Sequence, residues 1–146
     1  PSAGPEKSAG SVLGLARWWV NNVREDDPLL ERWDDETLRR ELRTAKGVSN
    51  EQADRIALAV FGRRVLPLNR TVVRVGCRHR WIGWEADDEE WQGLFQQGVR
   101  EGDSSAVEWG TWLLQVGKDF CGPKPKCESC PLASLLPEGG PDEPLE

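Results

Sequence analysis

The chain has 146 residues, of which 38% are hydrophobic and eight are tryptophan, so its length and composition predict one domain with an indole-rich core. No apolar run approaches the roughly 20 residues that cross a bilayer, and the first residues lack the apolar stretch of a signal peptide. These features exclude a membrane protein and predict a soluble, intracellular one.

The net charge of −6 hides an uneven distribution along the chain. Residues 37–82 carry 11 Lys and Arg against three acidic residues, a local net charge of +8, and the remainder carries −14. Phosphate binding requires local rather than global positive charge, so this region is a candidate polyanion-binding face. Solvated Arg side chains on helix surfaces are the alternative explanation.

Composition divides the chain into four segments. Residues 1–10 and 138–146, both rich in Pro and Gly, are predicted to be disordered. Residues 11–120 show helical apolar spacing and are predicted to form a helical domain. Residues 121–137 contain three of the four cysteines and form a separate C-terminal segment.

The first predicted helix carries apolar side chains at helical spacing and ends before Pro28, its apolar face being Val12, Leu15, Trp18, Trp19 and Val23. Asp34 is a predicted N-cap for a short helix that carries Leu38 and Leu42. The aromatic residues Trp18, Trp19 and Trp33 are candidates either for the core or for an interface.

A turn then leads into a predicted helix from Glu51 to Phe61, which Gly62 ends as a C-cap. The apolar residues of this helix are predicted to be buried, and they are Ala53, Ile56, Ala57 and Val60. The pattern is therefore helix, glycine turn, helix.

An extended link over residues 65–68 precedes Asn69, the predicted N-cap of a helix that runs to Arg78. Another helix is predicted from Asp87 to Val99. The last helix is predicted to place five residues in the core, namely Ala106, Trp109, Leu113, Val116 and Phe120. No convincing strand is present, so the predicted fold class is all-α.

The turn between the predicted helix that begins after Asp34 and the predicted helix from Glu51 to Phe61 has the features of a phosphate-binding hairpin. Successive backbone N–H groups at the start of a helix, together with the helix dipole, attract an anion, and Gly permits its close approach. Gly47, Val48 and Ser49 fit this arrangement, although Ser49 stands where a second Gly is expected.

Three blocks of sequence resemble the helix-hairpin-helix DNA glycosylase superfamily, in particular its endonuclease III and adenine glycosylase branch. They occur in the family order over residues 46–56, 61–75 and 112–131. The first is similar to the family hairpin, the second to the segment that enters the catalytic helix, and the third to the helix that enters an iron–sulfur loop. The resemblance covers residues 11–137.

The resemblance implies a set of residues that contact duplex DNA through its backbone. They belong to the hairpin turn, to the start of the following helix and to the C-terminal loop, and are Lys46, Gly47, Val48, Ser49, Asn50, Arg70, Lys124 and Lys126.

The catalytic positions depart from the family pattern. Lyase members use a hairpin Lys as nucleophile and an Asp that stabilises positive charge on the sugar, and the matching residues here are Glu51 and Asn69. Because an Asn side chain carries no negative charge, we expect base-excision activity to be lost or weak. Whether the chain is an enzyme is left open, and Asn69 retains the ability to cap a helix.

The cysteine loop departs as well. Cys121, Cys127 and Cys130 match three family cluster ligands, but Leu136 stands at the fourth position, and four thiolates normally hold a four-iron four-sulfur cluster. Three alternatives remain: a cluster with a substitute ligand, zinc completed by Cys77 or His79, and a metal-free remnant loop, which we favour.

The resemblance begins in the middle of the family domain. We therefore expect a missing N-terminal half, or a protein partner, to complete the helical domain. Three functions follow: a backbone-binding DNA protein, cytoplasmic or nucleoid-associated, with lost or weak activity; an active DNA glycosylase that excises a damaged or mismatched base; and a protein-interaction subunit of a larger complex.

Overall fold

The computed structural model describes residues 5–23, 33–99 and 105–144. In these residues it contains no strand, which confirms the all-α prediction, and every helix there is too short or too polar to traverse a bilayer. The helices of the described residues are α1 (Pro5–Asn22), α2 (Asp35–Arg43), α3 (Asn50–Ala59), α4 (Arg70–Arg78), α5 (Asp88–Gly98) and α6 (Ser105–Asp119), followed by 3₁₀ turns at Cys127–Ser129 and Ala133–Leu135.

The chain divides into two compact units, unit 1 (Pro1–Pro67) and unit 2 (Leu68–Glu146). Unit 1 contains α1 to α3, and unit 2 contains α4 to α6 with the cysteine segment. The basic region of the sequence is therefore shared between the two units.

Local capping explains where several helices begin. Asp34, Asn69 and Asp87 each accept a hydrogen bond from a backbone N–H in the first turn of the helix that follows. This confirms the caps predicted at Asp34 and Asn69, and it adds a cap at Asp87, where only the start of a helix was predicted. The backbone N–H of Thr37 lowers the pKa of Asp34, because the hydrogen bond favours the carboxylate.

The core of unit 1 lies where α2 packs against α3, and α1 contributes Trp18. Trp33 packs against this core, so Trp18 and Trp33 serve mainly as core residues. The buried hydrophobic cluster consists of Trp18, Leu38, Leu42, Ala45, Ala53, Ala57 and Val65.

Helix α1 differs from its prediction at both its start and its buried face. It begins at Pro5, so residues 5–10 are helical rather than disordered. Gly14 and Trp18 are buried, whereas Val12 is 69% exposed and Trp19 is 42% exposed and stacks on Phe61. Apolar spacing identified the helix but misplaced part of its buried face. The predicted helix end lies outside the described residues.

Helix α3 begins one residue before the predicted start and buries Ala53 and Ala57 as expected. Val60, predicted to be buried, is 61% exposed because it lies just beyond the last residue of the helix. Gly62 has a φ of +64°, the left-handed conformation predicted for the residue that terminates the helix.

Unit 2 is built on close packing of α4 against α6 and of Trp91 in α5 against α4. A Cβ on Gly76 would lie 2.4 Å from the Trp91 ring, and one on Gly117 would lie 2.3 Å from Cγ2 of Thr71. Both glycines are therefore required for the helices to approach this closely.

Helix α6 buries less of its predicted core face than expected. Trp109 is 47% exposed, and Leu113, Val116 and Phe120 are only half-buried. The predicted core position of Trp109 is therefore wrong. The side chain of Ala106 lies outside the described part of the structure.

The C-terminal tail is ordered over residues 138–144, so the prediction of disorder is wrong there. Asp142 donates its backbone N–H to the Arg78 carbonyl at 2.9 Å, and its carboxylate accepts from Arg80 and Trp84 at 2.8 and 3.0 Å. These contacts attach the tail to the end of α4. The hydrogen bond from Arg80 and then that from Trp84 hold the pKa of Asp142 below its usual value.

Candidate nucleic-acid interface

The predicted hairpin is present in unit 1, where α2 and α3 are joined by residues 44–49. Gly47 has a φ of +82°, a conformation that L side chains rarely adopt, and the Val48 N–H donates to the Ala45 carbonyl at 3.1 Å. The turn is therefore closed by its own backbone. Lys46 and Asn50 are exposed on either side of it.

Ser49 replaces the second expected Gly without strain, since its φ is −81°. Its hydroxyl accepts from the Gln52 N–H at 3.2 Å, and the Gln52 side chain accepts from the Ser49 N–H at 2.9 Å. This capping box fixes the start of α3. Ser49 therefore serves to orient the helix N-terminus that an anion would approach.

Helix α1 supports the turn from the other side. The Ser11 hydroxyl donates to the Gly47 carbonyl, and a Cβ built on Gly14 would lie 1.9 Å from the Lys46 carbonyl oxygen. Only a glycine at position 14 allows this approach. The hairpin turn is thus held by both of its own helices and by α1.

A groove of about 720 Å³ runs between α1 and the hairpin. Three basic side chains line it, those of Arg17, Lys46 and Arg55, together with the polar residues Ser49 and Gln52. Arg17 and Arg55 were missed as candidate contacts in the sequence. The signal for Arg17 was its position one helical turn after Gly14, the glycine that brings α1 against the turn.

Glu51 also lines this groove, at the position where the resemblance places the family nucleophile. Its carboxylate forms an ion pair with Arg55 at 2.7 Å on the next turn of α3. A carboxylate cannot act as the amine nucleophile of lyase chemistry. The negative charge of Glu51 is partly balanced by the guanidinium of Arg55.

Burial removes one arginine of the basic region from any interface. Arg39 is 3% exposed, and its guanidinium binds both carboxylate oxygens of Asp54 at 2.8 and 3.2 Å. Arg43 approaches the same carboxylate at 3.4 Å. The pair joins α2 to α3, so the Asp54 carboxylate is bound between these helices and cannot serve as a catalytic group.

Asn69 lies at the start of α4 in unit 2. Its side-chain oxygen accepts hydrogen bonds from the N–H groups of Thr71 and Val72 at 2.9 and 3.1 Å. The predicted capping role is thereby confirmed. Arg70, the next residue, is exposed at the N-terminus of the helix.

The cysteine loop follows α6 and carries two exposed lysines, Lys124 and Lys126. The Lys126 N–H donates to the Phe120 carbonyl at 2.8 Å, which closes the loop at its base. Both ammonium groups lie within a segment fixed by backbone contacts.

The three loop cysteines are free thiols and line one small cavity together with Leu136. Burial, and then charge on the other two sulfur atoms, raises the pKa of Cys127, which favours the neutral thiol. Among the described residues, no three His, Cys, Asp or Glu side chains are arranged to hold a metal ion.

A four-iron four-sulfur cluster does not fit this donor set. Leu136 supplies hydrocarbon where the fourth thiolate belongs, so three cysteine side chains line the cavity where four thiolates normally hold such a cluster. His79 lines the same cavity, but its ring nitrogens lie 2.8 and 3.3 Å from the carbonyl oxygens of Val75 and Leu132.

Cys77, the other residue considered for zinc, is buried, and its thiol lies 3.5 Å from the Gly83 carbonyl. It does not contribute to the wall of the cavity at the loop cysteines. Burial raises its pKa, as expected for a thiol in the core.

No protein-family model and no curated protein matches the sequence. The structure, however, is similar to that of a thermostable thymine-DNA glycosylase, with a TM-score of 0.58 and 22% sequence identity. The match covers 88% of this chain. The protein has a DNA glycosylase-like fold.

The chain spans just over half of that protein's length, 56%. The fold predicted from the three sequence blocks is thus confirmed. At this identity the similarity shows the fold alone.

Proposed function

We propose that the protein binds duplex DNA through its phosphate backbone, as a member of the endonuclease III and adenine glycosylase branch whose base-excision activity is lost or weak. The observation that carries the proposal is the closed glycine turn at Gly47, whose flanking helices and basic groove have the features of a phosphate site. The glycosylase-like fold gives the site its context.

The contacts would combine cations and helix N-termini. Lys46 and Arg17 supply the cations of one phosphate site in unit 1, where the dipole of α3 adds positive potential at its N-terminus, and Arg70, Lys124 and Lys126 contribute further cations in unit 2. Contacts of this kind give affinity and orientation but do not read the base sequence.

Salt dependence tests the binding directly. Fluorescence anisotropy of a labelled duplex, titrated over a range of KCl concentrations, should give a log–log slope proportional to the number of phosphate contacts. We expect Lys46→Glu, and separately the double variant Lys124→Glu/Lys126→Glu, to weaken binding and to flatten the slope by about one for each lost contact.

Arg40→Glu is the matched control, since Arg40 is an exposed cation of α2 that does not line the groove. It changes the total charge as much as Lys46→Glu does, and we expect a smaller loss of affinity. A slope near zero, or equal effects of Arg40→Glu and Lys46→Glu, contradicts the proposed site.

The proposed loss of activity depends on Asn69, which offers a neutral amide where the family uses a carboxylate. The electrostatic contribution of such a group is on the order of 10² to 10³ in rate. We expect the protein to release no base from a panel of damaged and mismatched duplexes, including thymine in a mismatch, and to form no adduct under borohydride.

Asn69→Asp supplies the second arm of this experiment, because Asp caps a helix as well as Asn and the variant should fold. If the Asn69→Asp variant excises a base and the unaltered protein does not, the loss of activity is due to Asn69. Excision by the unaltered protein at a comparable rate would contradict the proposal and favour an active glycosylase.

A further inference from the structure

The cysteine loop and tail, residues 121–144, are held against the C-terminal part of α4 by side chains of Arg78 and of the two residues that follow the helix. His79 lies 3.3 Å from the Leu132 carbonyl near the middle of the segment, and Arg80 donates to Asp142 near its end at 2.8 Å. Arg80 adopts a φ of +55°, unusual for a residue with a Cβ.

Arg78 joins both ends of the segment. One of its terminal nitrogens, Nη1, donates to the Gly122 carbonyl at 2.6 Å and lies 3.6 Å from the Cys121 sulfur, while Nη2 forms an ion pair with Glu143 at 2.8 Å. The side chain is 5% exposed. A buried guanidinium therefore bridges residues that lie 20 or more positions apart in sequence.

A guanidinium suits this role because its planar fork presents several N–H donors in fixed directions. An arginine guanidinium is not deprotonated in proteins, so the bridge keeps its charge throughout the ordinary pH range.

We propose that Arg78 positions the cysteine loop in place of an iron–sulfur cluster, so that the order of the loop and the placement of Lys124 and Lys126 do not depend on a metal. Two observations support this together. The donor set lacks a fourth thiolate at Leu136, and the contacts of Arg78 already connect the start of the loop to the tail.

The test compares loss of the guanidinium with loss of the thiols. Hydrogen–deuterium exchange of the backbone over residues 122–136 is measured in Arg78→Met and in the double variant Cys127→Ser/Cys130→Ser. Because hydrogen bonds to a charged group are lost, we expect Arg78→Met to accelerate exchange roughly tenfold or more. The cysteine variant should change exchange by less than about twofold, since neither thiol makes a hydrogen bond within the described part of the structure.

Arg40→Met is the control for the substitution itself, because Arg40 is exposed and lies in unit 1. It should leave exchange in the loop unchanged. Equal acceleration by the arginine and cysteine variants overturns the proposal. So does a stoichiometric content of iron or zinc in the purified protein whose removal by a chelator loosens the loop.

Glu143→Gln keeps the proposal testable if Arg78→Met does not fold. The Glu143 side chain is half-exposed, so its replacement should leave the fold intact while weakening the ion pair with Arg78. We expect faster exchange over residues 138–144 in this variant. Unchanged exchange there contradicts the bridging role of Arg78.

Only the link from loop order to DNA affinity rests on the proposed function. If Arg78→Met loosens the loop but leaves DNA affinity unaltered, the positioning role stands and the DNA contact of Lys124 and Lys126 fails. If Arg78→Met loses DNA affinity while the loop keeps its order, the positioning role of Arg78 fails instead.

Discussion

Residues that look alike in the sequence perform different tasks in the fold. Arg39 and Arg40 are adjacent, yet Arg39 is buried against Asp54 and Arg40 is exposed. Two ion pairs of α3 differ in the same way, because Asp54 is 2% exposed while Glu51 lies at the surface with Arg55. Burial, rather than residue type, determines which of these charges stabilise the protein.

Asp54→Asn should therefore destabilise the protein much more than Glu51→Gln. Removing the Asp54 charge takes away the buried carboxylate that binds Arg39 at 2.8 Å, while the Glu36 carboxylate, 3.4 Å away, is largely exposed. We expect a loss of about 3 kcal/mol or more, whereas an exposed pair contributes about 1 kcal/mol or less. Urea unfolding of the two variants measures the difference. Equal losses of stability would mean that the Arg39 pair is solvated.

Acid should weaken the attachment of the tail at Asp142. Hydrogen bonds from Arg80 and Trp84 lower the pKa of Asp142 below 3.8, so its contribution is complete above pH 3.8 and disappears as the pH falls through the lower folded value. The Trp84 indole N–H signal in NMR reports this step, and Trp84→Phe assigns it. In Asp142→Asn the pH-dependent step should be absent.

At the scale of helices, glycine determines how closely neighbours pack. Gly14 brings α1 against the hairpin turn, and Gly76 and Gly117 bring α5 and α6 against α4. A predicted helix can accommodate Ala at any of these positions in isolation. The requirement for Gly comes from the neighbouring element.

Gly14→Ala should destabilise unit 1, because the new methyl group would overlap the Lys46 carbonyl. We expect a loss of about 1 to 3 kcal/mol, together with weaker DNA binding through the displaced turn. Gly10→Ala is the matched control on the same helix, since nothing lies within 4 Å of its added Cβ.

Gly10→Ala should be neutral or stabilising by up to about 1 kcal/mol, the ordinary gain from Gly to Ala within a helix. Thermal unfolding followed by circular dichroism measures both variants. Equal melting temperatures would show that α1 does not press against the turn in solution.

For the molecule as a whole, neither unit carries a net positive charge. Unit 1 has 11 basic and 11 acidic residues, and unit 2 has eight basic and 14 acidic residues. The proposed DNA contacts therefore depend on local placement around the hairpin and the loop, where counter-charges are fewer. The salt dependence of binding should therefore follow the number of phosphate contacts rather than the net charge.

The whole protein should bind duplexes with little regard to their sequence or damage. Its proposed contacts reach phosphates, which are common to every duplex, so affinities for intact, mismatched and damaged DNA should agree within about twofold at one salt concentration. Competition among unlabelled duplexes measures this. A preference of about tenfold for one damaged base would indicate base recognition and contradict a purely backbone contact.

The sequence by itself determined the helical class, most helix boundaries, the caps at Asp34 and Asn69, the helix start at Asp87, and the glycine turn of the hairpin. These features depend on residues within a few positions of one another, where backbone geometry and short hydrogen bonds dominate. The sequence blocks also predicted the glycosylase-like fold.

Tertiary structure alone decided which charges and aromatic rings are buried. Arg39 and Asp54 are 15 residues apart, and Arg78 and Glu143 are 65 apart, so no local sequence pattern predicts either ion pair. The same applies to Trp109, which lies on a helix yet remains exposed because no described element covers it. Burial depends on which distant segments meet, and that is fixed only when the chain folds.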